Sequence, residues 1–120
     1  MVQSERARIL VVEDDDDVRE LAVNVLRDKG YDVTQAASGG IALAILDQDL
    51  PFDLLFTDIV MPGEPNGIKL AEWARRLRPY IKILYTFNTV QRIFNLLCEV
   101  IDRIKILSID FYSHICTNAC

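Results

Sequence analysis

RILVVEDDDD, residues 8–17, sets a short run of aliphatic and β-branched side chains directly against a run of acid. An apolar run without polar alternation fits a strand buried on both faces, and such strands belong to parallel sheets covered by helices. Residues 15–28 then turn periodic: Val18, Leu21, Ala22, Val25 and Leu26 recur at helical spacing, and Gly30 is a natural stop. Residues 31–35 (YDVTQ) alternate as a second strand. Ser38 can cap a second helix through Ile41, Leu43, Ala44 and Leu46, and Pro51 ends that region. Residues 53–57 (DLLFT) repeat the opening pattern, an apolar strand closed by an acid, here Asp58. The loop MPGEPNG leads to a third helix at about 67–77, with Ile68, Leu70, Ala71 and Ala74 on one face, and residues 81–86 (IKILYT) form a fourth strand. Strands alternating with helices of this length predict βαβ units and an α/β fold built on a doubly wound parallel sheet. Residues 89–102 continue as an amphipathic helix and residues 104–109 (IKILSI) as a fifth strand. The few residues left predict a fifth helix that is short or missing.

The 120 residues make one domain, 1–120, large enough to bury a core without disulfides or metals as staples. Apolar residues at 51% and charged residues at 26% exclude a disordered chain. The net charge of −5 disfavours direct binding to nucleic acid through a basic field. No apolar run reaches the roughly 18 residues of a membrane span, and residues 1–8 do not resemble a signal peptide. Three cysteines without an export signal read as reduced thiols, which predicts a cytoplasmic protein.

Composition changes near residue 80. Every glycine and proline precedes it and every cysteine follows it. Fifteen of the 18 acidic residues and nine of the 13 basic residues lie in the first 80 positions. No linker marks the change. Residues 87–120 are therefore atypical of the remainder.

In open parallel sheets, sites form outside the carboxyl ends of the strands. Glu13 and Asp14 end the first strand and Asp58 ends the third. If those strands are neighbours, about 4.8 Å apart, the three carboxylates meet. Their mutual repulsion suits a hard divalent cation, and Mg²⁺ takes a few carboxylates together with waters and phosphate oxygens.

ILVVEDDDDVRELAVNVLRDKGYDV, DLLFTDIVMPG, NGIKLAEWARRLRP and IKILYT resemble the receiver domain of two-component response regulators over residues 8–86. The acid pair, its distance to Asp58 and the D-x-x-M-P-G run carry the resemblance. It implies a flavodoxin-like five-stranded sheet in the order 2-1-3-4-5. It also implies that Asp58 accepts a phosphoryl group from a histidine kinase or phosphotransfer protein. Asp14 would bind Mg²⁺ directly, Glu13 through a water, and Val60 through its carbonyl. Such a domain is not an enzyme; it gains and loses its own phosphoryl group and relays the change to a partner. It would be either a stand-alone receiver or one cut from a longer protein.

Receivers sense the phosphoryl group through a hydroxyl on the fourth strand and a lysine on the fifth. Here the hydroxyl position aligns with Phe87, and Ile109 stands where the lysine belongs. Thr86 would supply the hydroxyl if the strand shifted by one residue. These departures, together with the composition change, are what an altered reading frame in the last part of the chain would produce. They also support an alternative function, a receiver-like binding module that does not switch. A phosphohydrolase of the D-x-D type is disfavoured because Val60 occupies its second acid position.

Asp15, Asp16 and Asp17 read as a helix-capping run. Trp73 reads as a packing residue at a helix edge, and Arg75, Arg76 and Arg78 as a solvated face. His114, Cys116 and Cys120 complete no metal set. If no fifth helix covers Phe94, Leu97 and Ile101, the exposed surface predicts self-association through residues 87–120.

Overall fold

The computed structural model describes residues 6–86. The expected helix at 89–102, fifth strand, fifth helix and self-associating surface lie outside the described residues, as do Phe87 and Ile109.

Four strands, β1 (Arg8–Val12), β2 (Asp32–Ala36), β3 (Leu54–Asp58) and β4 (Lys82–Thr86), alternate with three helices, α1 (Asp16–Asp28), α2 (Gly39–Leu46) and α3 (Gly67–Leu77). All strand pairs are parallel, and the order is β2-β1-β3-β4. This is the expected doubly wound α/β arrangement of the flavodoxin-like class as far as the fourth strand. Each strand sits within a residue of its predicted place, because the apolar run sets the buried stretch while neighbour pairing sets its ends.

Alternation along the strands divides the core in two. Ile9, Val11, Leu54, Phe56 and Leu84 face α1 and pack on Val18, Ala22, Val23 and Leu26. Leu10, Val12, Leu55 and Ile83 face the other way and meet Ala42 and Leu46 of α2 and Leu70, Ala71 and Ala74 of α3. Burying a large aliphatic side chain stabilises the fold by about 1.5–3 kcal/mol, and Ile9, Leu10, Leu26, Leu46, Leu55, Leu70, Ile83 and Leu84 are all fully buried.

Each helix begins on a side-chain cap. Asp15 Oδ1 accepts from the N–H groups of Asp17 (2.9 Å) and Val18 (3.0 Å). Ser38 Oγ accepts from Ile41 (3.1 Å) and Asn66 Oδ1 from Lys69 (2.9 Å). Each such cap contributes about 1 kcal/mol. Gly30, at φ +94°, ends α1 in a conformation that side chains disfavour.

Two expectations about helix faces, at Ile68 and Arg78, are corrected. Ile68 is exposed, at 40%, as is Ile41, at 50%, while Gly67 and Ala42 take the buried positions. Small residues there let the helices lie closer to the sheet than isoleucine would allow. Trp73 is half exposed, with the Arg76 guanidinium 5.8 Å from its ring centre. Arg78 is not part of a solvated face: it donates to the carbonyls of Leu46, Gln48, Leu50 and Leu77.

Candidate functional site

The four buried polar side chains among the described residues, Glu13, Thr57, Asp58 and Thr86, all lie at the carboxyl ends of β1, β3 and β4. The sheet places them there. Glu13 follows β1 directly and is held by its N–H donating to the Ala36 carbonyl at 3.1 Å. Asp58 is the last residue of β3, the strand beside β1. Glu13 continues the alternation of Ile9 and Val11, and Asp58 that of Leu54 and Phe56, so both carboxylates leave the sheet on the α1 face.

One carboxylate oxygen from each of Glu13, Asp14 and Asp58 lies within 4.8 Å of the others. Glu13 is 4% and Asp58 2% exposed, whereas Asp14 opens to solvent. Glu13 Oε2 accepts from the Asp15 N–H at 3.1 Å, and Asp58 Oδ1 from the Val60 N–H at 3.3 Å. These bonds aim the carboxylates without neutralising them.

Burial pushes the Glu13 carboxyl up to about 7, and the neighbouring Asp58 and Asp14 add to the shift. Burial likewise raises Asp58, with the charge of Asp14 acting in the same direction. The donor set is thus all carboxylate oxygen and closely spaced. That chemistry fits a hard divalent cation.

Thr86 lies in plain register with Asp58, without a bulge, so its side chain leaves the sheet on the same face. Its hydroxyl is fully buried and has no hydrogen-bond partner among the described residues. A buried hydroxyl left unpaired costs about 1–3 kcal/mol. Val60 stands on the loop beyond Asp58 with its side chain 70% exposed.

Two residues shape this edge without having been singled out in the sequence for that role. Gly67 opens α3 so close to β3 that a Cβ there would lie 2.0 Å from the Asp58 carbonyl oxygen. Arg19 reaches back from α1 to the Glu13 carbonyl at 2.9 Å. A glycine just before an apolar helix face is a weak signal for the first. The second has none, because an arginine in a polar helical stretch reads as solvated.

The response regulator receiver domain family matches residues 9–95. A receiver protein of Brucella abortus, CpdR, is 46% identical over 78 residues, which is 65% of this chain and 63% of that protein. The sensor kinase CckA of the same species is 37% identical over 89 residues, 73% of this chain and 9% of the kinase. The chain therefore spans less than two thirds of the length of either relative. The response regulator TrrA of Thermotoga maritima, solved in complex with Mg²⁺ and a beryllium fluoride, superposes with a TM-score of 0.62 at 32% identity, over 76% of this chain and 77% of that one. No helix among the described residues is long and apolar enough to cross a membrane. The matched span, the sheet order and the three carboxylates at its carboxyl edge agree: the chain belongs to the response regulator receiver domain family.

Proposed function

We propose that this chain is a phosphoacceptor of two-component signalling, in which Asp58 takes a phosphoryl group from a phosphohistidine on a histidine kinase or phosphotransfer protein. The observation that carries this reading is the buried Asp58 carboxylate at the end of β3, grouped with two further carboxylates. An Asp58 oxygen attacks phosphorus as the bond to the imidazole nitrogen breaks, and that nitrogen leaves with the electron pair. Glu13, Asp14, Asp58 and the Val60 carbonyl would hold Mg²⁺. When bound, it supplies the charge that relieves the carboxylate repulsion and offsets the phosphoryl oxygens.

Phosphorylation gives position 58 a charge of about −1.5 to −2 and three strong acceptor oxygens. The Thr86 hydroxyl, on the same face and without a partner among the described residues, is the donor that answers them. Gain and loss of this group is the chain's whole chemistry, without turnover of an external substrate, and the reaction belongs in the cytoplasm, where kinase and Mg²⁺ are both available. A second reading, a receiver-like binding module that does not switch, draws on Phe87 and Ile109 in place of the usual hydroxyl and lysine. Amide exchange with beryllium fluoride separates the two: protection that spreads beyond the pocket supports switching, and protection confined to it supports the module.

The phosphoacceptor reading is tested by incubating the full chain with acetyl phosphate and Mg²⁺. The expected result is a mass increase of one phosphoryl group that hydroxylamine reverses and that a chelator or Asp58→Asn abolishes. No increase, or an increase that survives Asp58→Asn, overturns it.

A further inference from the structure

Arg19 uses all three of its guanidinium nitrogens. Nη1 donates to the Glu13 carbonyl at 2.9 Å, Nε to Gln35 Oε1 at 3.1 Å and Nη2 to Asp16 Oδ1 at 2.7 Å. Its side chain is 15% exposed, against 84% for its ion-pair partner Asp16. The three contacts therefore tie the end of β1 to β2 and to the first turn of α1.

The Glu13 carbonyl belongs to the peptide plane that joins Glu13 to Asp14. A trans peptide is rigid, so fixing its carbonyl oxygen fixes the direction in which the chain enters Asp14. The other atoms of Glu13 are held separately. Its N–H is bonded to Ala36 and its carboxylate to the Asp15 N–H. The carbonyl is the remaining anchor, and it is the one that governs Asp14. Among the three carboxylates, Asp14 is the exposed member. It has the least packing to aim it and so depends most on its backbone.

We propose that Arg19 is a positioning residue for the cation site: by holding the Glu13–Asp14 peptide plane it aims the Asp14 carboxylate at the point shared with Glu13 and Asp58. The inference rests on the reading of this cluster as a Mg²⁺ site. It assigns Arg19 no contact with the phosphoryl group. Gln35 supports it by orienting the fork from β2. Asp16, on the solvent side, contributes little, since an exposed ion pair holds a long side chain only weakly.

The test measures Mg²⁺ binding to the full chain by calorimetry, together with the rate of phosphorylation by acetyl phosphate as Mg²⁺ is varied. In Arg19→Met, Mg²⁺ affinity falls by about tenfold, the scale expected when a residue that orients metal ligands is lost. The rate at saturating Mg²⁺ recovers towards that of the wild type, because Asp58 itself is untouched. Arg19→Lys, which keeps the charge and a single donor nitrogen, restores most of the affinity. Gln35→Leu gives a smaller loss of the same sign, and Asp16→Asn leaves affinity unchanged. Should Arg19→Met not fold, Arg19→Gln and Arg19→Lys carry the same comparison. Wild-type affinity in Arg19→Met or Arg19→Gln, or tighter binding from the loss of a nearby positive charge, overturns the proposal. Absence of Mg²⁺ binding in the wild type overturns the reading of the cluster instead.

Discussion

The two edges of the sheet treat their charges in opposite ways. At the amino edge the acids are matched. Asp53 accepts from the Arg8 N–H at 2.8 Å, Asp32 lies 3.6 Å from the Arg8 guanidinium with both side chains near half exposed, and Arg78 gathers the carbonyls between α2 and β3. At the carboxyl edge Glu13 and Asp58 are buried beside each other and beside Asp14, and Thr86 is buried with its hydroxyl unpaired among the described residues. Charge at the first edge closes the fold; charge at the second is held against the fold's interest. Such a concentration of buried polar groups is a cost that binding can recover, and it supports the proposal that this edge receives a cation and a phosphoryl group.

The contrast breaks most sharply at Gly67. A methyl group there would meet the Asp58 carbonyl oxygen at 2.0 Å, so the backbone carrying Asp58 must move. Gly67→Ala lowers the phosphorylation rate on the order of a hundredfold and stability by about 2 kcal/mol, as measured by phosphoryl uptake and urea unfolding. Uptake at the wild-type rate would show that α3 does not set the position of Asp58.

Linkage to pH sharpens the comparison next. The Glu13 carboxyl binds its proton more tightly in the folded chain, at about 7 against 4.5 unfolded. Its stabilising contribution is therefore complete below about pH 4.5 and is lost as the pH rises to 7. The loss amounts to about 3 kcal/mol in the metal-free protein. Asp58, also raised by burial, acts in the same direction. Glu13→Gln flattens the fall, and so does Mg²⁺ at saturating concentration in the wild type. Denaturant titrations between pH 4.5 and 8 measure both effects.

The smallest effect belongs to the amino edge. Arg78→Ala strands several carbonyls and lowers stability by about 2 kcal/mol, yet leaves Mg²⁺ affinity unchanged. Thermal melts with and without the cation check it; equal loss in both functions would erase the distinction between the edges.

The carboxyl edge was legible in the sequence because its signal is local. An apolar strand stopped by acid occurs twice, at Val12–Glu13 and at Thr57–Asp58, and a parallel sheet brings such ends together. The rest depends on distance. Arg78 reaches carbonyls 28 to 32 positions earlier, and nothing in its neighbourhood announces them. Ile68 looks like a core residue by periodicity, but the rotation of α3 is set by where Gly67 meets the sheet. Thr86 is expected beside the site only with a shifted strand; the unshifted register pairs it with Asp58, and register is fixed by neighbouring strands rather than by the strand's own residues.

The most direct test of the central claim treats the full chain with acetyl phosphate and Mg²⁺, reduces it with borohydride and maps the peptides. A phosphoryl group on Asp58 is converted to homoserine at position 58, and at that position alone. Unmodified aspartate there, or homoserine at Asp14 or another acid, would contradict the account.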